Sequence, residues 1–331
     1  MDPVSHGLLG ASAAASFAKK KQIAVAVVAG WLAAMAPDLD VLIRSSADPL
    51  LTVEMHRQFT HSLIFMPFGA LIVTILLWMF IKRYLTFQEL YLFTFLGIAT
   101  HGLMDAFTSY GTQLFWPFTD ARIAWNMVSV IDPFVTLGMV LFASLAIWRK
   151  KRFWAWISLG WFALCMMFGY YQGQRASAAA IELAETRGHQ PERLVARPSF
   201  GNQILWRVNY IYDGHIYTDA VRPGFFSETK IYEGGSLPEF VIETEMAGFE
   251  STTLYSDLER FRHFSDGYLT RHPENPNIIG DTRYSMIPTS MIPLWGVEID
   301  TTDTARHLPF SYYRDIEQED LDLFFDMLFG R

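Results

Sequence analysis

"PDLDVLIRSSADPLLTVEMHRQFTHS", residues 37–62, gathers Asp38, Asp40, His56, Arg57 and His61 into one connection between strongly apolar stretches. Apolar residues make up 51% of the 331-residue chain, and they are unevenly spread. Residues 62–81, 90–107, 131–148 and 153–171 each approach the ~20 residues that span a bilayer. Two shorter apolar stretches, 8–18 and 23–36, precede them, short enough to be tilted or enclosed by neighbours. Beyond residue 172 no such segment occurs. The chain therefore reads as a membrane protein in two parts: an α-helical transmembrane bundle over 1–172, then a small extracytoplasmic α+β domain over 173–331.

Charge divides at the same place. Residues 1–172 hold 12 Lys and Arg against 9 Asp and Glu, whereas the remainder holds 14 against 25. An acidic second half without a basic stripe argues against a nucleic-acid partner. The single cysteine, Cys165, excludes an intramolecular disulfide framework. "MDPVSHGLLG" has no positive segment ahead of its apolar run, so it is expected to stay in the mature protein and to keep His6 there.

Three basic clusters alternate with acidic connections: Lys19, Lys20 and Lys21; Lys82 and Arg83; Arg149, Lys150, Lys151 and Arg152. The positive-inside rule makes these cytoplasmic and puts the N-terminus outside. Eight of the nine acids in residues 1–172 and all four of its histidines then fall on the outer face, with Glu89 the exception. One shared outward-facing site accounts for that.

"HGLMD" is its clearest element. His101 and Asp105 stand four apart, so on a helix they share a face and can converge on one ion. The plain alternative is a His–Asp hydrogen bond stapling helices. In "PDLD", Pro37 disfavours helix at Ala36, and Asp38 and Asp40, two apart in a turn or extended segment, face one side. One of them as a helix cap is the competing reading. His56 and His61, five apart, straddle a turn, with His61 at the helix mouth. Arg57 suits an anionic oxygen, or is an ordinary surface arginine. His6 lies at the outer end of the first helix. Asp132 in "IDPF" is a ligand, an outer carboxylate that orients a histidine, or a helix cap, and nothing in the sequence ranks the three.

Mixed imidazole and carboxylate donors suit zinc first, then manganese or iron. Seven candidate ligands, His6, Asp38, Asp40, His56, His61, His101 and Asp105, exceed what one tetrahedral ion needs. That favours two or more ions and a bridging water ionised near neutral pH. Arg57 and Asp132 are the remaining candidate catalytic groups. No serine or cysteine nucleophile motif is present.

Through "MDPVSHGLLGA", "APDLDVL", "HRQFTHS", "HGLMDAFTSYGTQLFWPF" and "IDPF", residues 1–140 resemble the YdjM-like family of membrane-bound, metal-dependent hydrolases. The resemblance implies a multi-pass protein of the bacterial inner membrane. A fainter similarity, in the order His, Asp, His and H-x-x-x-D, is to zinc-dependent phospholipase C. It implies His6, Asp38 or Asp40, His61, His101 and Asp105 as ligands and a phosphoester as substrate. A later H-x-x-x-[ED] pair is missing.

In the second half, residues 174–187 read as an alanine-rich helix. "NQILWRVNYIYDGHIYTDAV" reads as a hairpin turning at "YDGH", with "PEFVIETE" and "TRYSMIPTSMIPLWGVEI" as further strands. "YSDLERFRHFSDGYL" and "DIEQEDLDLFFDMLFG" read as amphipathic helices. His189, His215, His263, His272 and His307 show no ligand spacing and read as exposed or hydrogen-bonded. The expected function is an integral-membrane hydrolase cleaving a lipid or lipid-linked phosphoester at the outer face. The alternatives are a metal-dependent membrane peptidase, or a transporter or scaffold with a structural metal.

Overall fold

The computed structural model describes residues 1–224 and 228–331. Seven helices come first: α1 (Pro3–Phe17), α2 (Ile23–Met35), α3 (Leu50–Met55), α4 (Met66–Ile81), α5 (Phe87–Phe107), α6 (Pro133–Arg149) and α7 (Phe153–Thr186). Two compact units emerge. The first comprises Met1–Leu42, Met55–Tyr170 and Phe200–Asn202; the second comprises Ile43–Glu54, Tyr171–Ser199 and Gln203–Arg331.

Among the described residues, three helical stretches are long and apolar enough to cross a membrane: Ile23–Leu42, Phe87–Phe107 and Phe153–Thr186. The pair Leu50–His61 and Met66–Ile81, bent by 87°, counts as a fourth if it is one span, and α6, with 17 residues, is shorter. Many exposed side chains on the helices of the first unit are apolar. Leu71, Ile75 and Met79 on α4 and Leu137 and Leu141 on α6 face outward, as a hydrocarbon solvent requires.

Helix α1 behaves differently. Every residue from Ser5 to Ser16 is buried, so all of the helix but its ends is enclosed. Small residues permit this. A Cβ built on Gly30 would lie 2.4 Å from the Gly10 carbonyl oxygen, and one on Gly97 2.5 Å from that of Gly30. The α1, α2 and α5 backbones therefore cross in near contact, the packing that small residues allow between membrane helices. Helix starts follow the sequence chemistry. Asp2 caps α1, Thr86 and Glu89 form a capping box on α5, and Asp132 caps α6 ahead of Pro133.

The second unit holds two antiparallel four-stranded sheets. The first runs β1 (Arg193–Pro198), β2 (Trp206–Tyr212), β3 (His215–Arg222) and β4 (Lys230–Pro238), paired in chain order. The second runs β5 (Leu269–Arg271), β6 (Ile278–Asp281), β7 (Trp295–Glu298) and β8 (Phe310–Tyr312), also in order. Helices α8 (Ile242–Glu245) and α9 (Thr253–Phe264) join the sheets, and α10 (Gln318–Phe329) ends the chain. Ala176 and Ala180 of α7 pack with Ala196, Trp206, Val208 and Val221 on one face of the first sheet. The alanine-rich sequence thus keeps a helix close to Trp206.

The alanine-rich stretch is helical as expected and forms the last part of α7, which runs 34 residues without a break despite Gly173. One expectation is corrected. "PEFVIETE" is not a strand. Glu239 makes one isolated bridge to Thr270, and Ile242–Glu245 then turns helically, burying Ile242. The hairpin expected at "YDGH" is present, with Asp213 and Gly214 at φ +48° and +66°. Both central residues are left-handed, as a two-residue turn between twisted strands requires.

Candidate metal centre

Two backbone features bring the site together in the first unit. The turn Phe59–His61 lies against α5 at Gly102, where a Cβ would sit 2.3 Å from the His61 carbonyl oxygen. The glycine of "HGLMD" therefore lets the His61 turn reach the helix that carries His101 and Asp105. Pro37–Leu42 forms a 3₁₀ segment after α2 and delivers Asp38 and Asp40.

The hydrogen bonds define which ring nitrogens are free. His101 Nδ1 lies 2.5 Å from the Ala34 carbonyl oxygen, which only accepts, so Nδ1 carries the proton. His61 Nδ1 lies 3.2 Å from Asp40 Oδ2 and 2.9 Å from Thr60 Oγ1. Thr60 Oγ1 itself donates to Asp40 Oδ2 at 2.7 Å, so it accepts from the imidazole. A neutral ring protonated on Nδ1 carries its lone pair on Nε2. The Nε2 atoms of His61 and His101 stand 2.8 Å apart.

Carboxylates close in on the same point. Asp38 Oδ1 is 3.5 Å from His61 Nε2 and 3.3 Å from His101 Nε2, and Asp105 Oδ2 is 3.3 Å and 3.7 Å from them. Asp38, His61, His101 and Asp105 each offer a ligand atom within 4.8 Å of all the others. Two nitrogens and two carboxylate oxygens, close together and nearly all buried, are donors that could hold a zinc, manganese or iron ion. Asp38, Asp40 and His56 make a second such group, so Asp38 belongs to both.

The remaining residues support this core. Asp40 accepts from His56 Nδ1 at 2.7 Å and from the Arg57 amide at 3.2 Å, as well as from His61. A carboxylate behind a ligating imidazole fixes its tautomer and orientation. His6 Nε2 is 3.1 Å from Asp105 Oδ1, and its ring stacks on that of His101 at 3.8 Å. The Met1 nitrogen touches the same Asp105 oxygen.

Arg57 is not a surface arginine. It is 4% exposed, with Nη2 3.1 Å from Asp105 Oδ1, Nη1 2.9 Å from Thr108 Oγ1 and Cζ 5.1 Å from the centre of the Tyr110 ring. Its φ of +66° is left-handed, a conformation that a residue with a side chain adopts only when its surroundings enforce it. The amide–Asp40 and guanidinium–Asp105 contacts provide that enforcement.

The structure thus brings together His6, Asp38, Asp40, His56, Arg57, His61, His101 and Asp105. It does not bring Asp132 to them. Asp132 Oδ1 accepts from the Phe134 and Val135 amides, so of the three readings the helix cap is the one observed. Sequence reasoning missed Thr60 and Thr108. Only their places, one before His61 and three after Asp105, signalled them.

In the second unit a further group forms. His307 Nδ1 is 2.9 Å from Asp257 Oδ2, and Arg260 bridges Asp257, Asp48 and Glu54. Burial works to raise the Asp48 carboxyl, yet the Arg260 guanidinium holds it below the usual carboxylate range. The Arg260 guanidinium already pairs with all three acids, so the group is an ion-pair network.

With the geometry in hand, the chain can be set beside known proteins. The family model for the YdjM inner membrane protein matches residues 1–176, and the chain belongs to that family. It is 31% identical over 126 residues to the uncharacterized protein YfhP of Bacillus subtilis, covering 38% of this chain and 36% of YfhP. It is 32% identical over 108 residues to the inner membrane protein YbcI of Escherichia coli, covering 31% of this chain and 60% of YbcI. The chain therefore spans about a third to three fifths of the length of these relatives. No solved structure matches it.

Proposed function

We propose that this member of the YdjM inner membrane protein family is a metal-dependent hydrolase acting on a phosphoester of a lipid or lipid-linked substrate. The observation that carries the reading is the 2.8 Å approach of His61 Nε2 and His101 Nε2. With both Nδ1 protons committed elsewhere, the two Nε2 atoms converge on one point, where a cation ligated by both, or a proton shared by them, would relieve the contact.

His61, His101, Asp38 and Asp105 are the ligands, with His56 and Asp40 completing a second position that shares Asp38. A divalent ion held there supplies a water acidic enough to ionise near neutral pH and a positive charge for phosphoryl oxygens. The chain's own residues do the rest. Asp40 and the Ala34 carbonyl hold the two imidazoles in the ligating tautomer. Arg57 balances the Asp105 charge from behind. Asp38, with a side chain 24% exposed, is the most solvent-accessible of the four ligands.

Orientation follows from the basic end of the first unit. Lys19, Lys20, Lys150, Lys151 and Arg152 line one cleft, and Lys19 pairs with Glu89 near the start of α5. His101 and Asp105 lie near the other end of α5, so a cytoplasmic basic end makes the site and the chain leaving α7 extracytoplasmic.

The test is hydrolysis by the detergent-purified full chain of a panel of lipid phosphoesters and, in parallel, peptides, with and without added zinc or manganese. Metal-dependent release of phosphate that Asp105→Asn abolishes, in a variant retaining wild-type helicity, supports the reading. Metal-dependent cleavage of peptides alone would replace it with a membrane peptidase. A proton shared by the two Nε2 atoms is the competing account of the contact, and it predicts no metal dependence.

A further inference from the structure

The interior between the two sheets of the second unit is polar. Arg197 on β1 and Arg207 on β2 are directly opposed in the sheet register, so their side chains leave on the same face. Like charges placed opposite one another are destabilising even at a surface. Here Arg197 and Arg207 are each 4% exposed, and Arg283 beside them is 5%.

Their partners are unequal. Arg283 pairs with Asp281 through Nε and Nη2, both at 2.8 Å, and donates to the Phe264 carbonyl. Arg207 is spent on backbone carbonyls of Thr282, Ile287, Pro288 and Ser290. Arg197 has neither. Its Nε and Nη1 are buried and find no hydrogen-bond acceptor among the described residues. It lies over the Tyr284 ring, at 5.3 Å, and Arg283 lies over the same ring at 5.4 Å. Three buried guanidiniums thus share one buried carboxylate, Asp281. Burial first, and the adjacent Arg197 second, push the Arg207 guanidinium down to about 9. Neutral neighbours add capacity rather than charge: Asn209, Thr218, Thr270 and Thr282 are all buried on the same inner layer and linked by hydrogen bonds.

We infer that this layer is an oxyanion-binding site in which Arg197, with Arg207 and Arg283 around it, takes a phosphate group. A phosphate brings up to two negative charges and several acceptor oxygens, the two things Arg197 lacks. The source is either free phosphate or a phosphate carried on an organic group such as a headgroup. The inference does not depend on the hydrolase reading, which concerns other residues in the other unit.

Hydrogen–deuterium exchange of the full chain in detergent tests it, in chloride, inorganic phosphate or glycerol 3-phosphate at matched ionic strength. At about ten times the dissociation constant, phosphate should slow exchange of the β1 and β2 amides ~10-fold. Arg197→Met should lose that protection, and so should Arg197→Lys, which keeps the charge but not the planar donors. Each variant is first shown to match the wild-type exchange map in chloride. Protection by inorganic phosphate alone assigns the free anion; protection by both probes assigns a phosphate ester. Exchange indifferent to both probes, or slowed equally in the Arg197 variants, would overturn the inference.

Discussion

The two units each bury a charged cluster, and the clusters are of opposite kind. In the membrane unit, imidazole nitrogens and carboxylate oxygens converge with their lone pairs facing inward, as at His61, His101, Asp38 and Asp105. In the second unit, N–H donors converge on one inner layer, as at Arg197, Arg207 and Arg283. Burying unpaired charge is costly in either sense. The first arrangement calls for a cation and the second for an anion. Burial alone therefore does not identify a site; the direction of the unmatched groups does.

The largest effect that sharpens this contrast falls on the first cluster. His61→Ala removes one of the two opposed nitrogens, and hydrolysis and bound metal should both disappear while the exchange pattern of the second unit stays at wild type. Chelation of the wild type should reproduce the loss, and added zinc or manganese should reverse it, read as turnover on the lipid phosphoester. Asp40→Asn should be milder. It leaves every inward-facing ligand of the first group in place but weakens the support behind His61, so metal affinity or activity should fall ~10–100-fold. A titration of metal into the apo protein measures this, and an unchanged affinity would leave Asp40 without the orienting role.

Gly102→Ala addresses the backbone. Its Cβ would meet the His61 carbonyl oxygen at 2.3 Å, so the turn must move. The expected cost is about 1–3 kcal/mol, seen as a lower thermal midpoint of the first unit. The smallest effect separates the ion-pair network of the second unit from the two clusters. Asp48 has a depressed folded value because of Arg260, so its contribution is present above the unfolded value of ~3.9 and is lost as pH falls through the folded one. It is a partly exposed pair, worth less than about 1 kcal/mol, and Arg260→Met should flatten the acid limb of a pH–stability curve.

Which parts were legible in the sequence follows from the range of the interactions. "HGLMD" was readable because four residues on a helix bring two side chains together without help from elsewhere. "YDGH" was readable because Asp-Gly encodes its own turn. The convergence of "PDLD" and "HRQFTHS" on "HGLMD" was foreseeable from spacing and topology, but the roles within it were not. Asp40 supports His61 from behind because of a single turn at Thr60, and Arg57 is buried because its backbone is held left-handed by Asp40. "PEFVIETE" misled because its β-branched pair is used locally, one residue buried and its neighbour exposed. The Arg197–Arg207 opposition depends on strand register, and β1 carries no alternation that would reveal it. His307 meets Asp257 across 50 residues, beyond any spacing rule.

On the proposed function, His61 and His101 ligate one divalent cation. Elemental analysis of the purified full chain, wild type beside His101→Ala, tests it most directly. At least one equivalent of zinc, manganese or iron is expected in the wild type, lost in a variant whose helical content is unchanged. A wild type that remains metal-free after reconstitution with all three metals would contradict it.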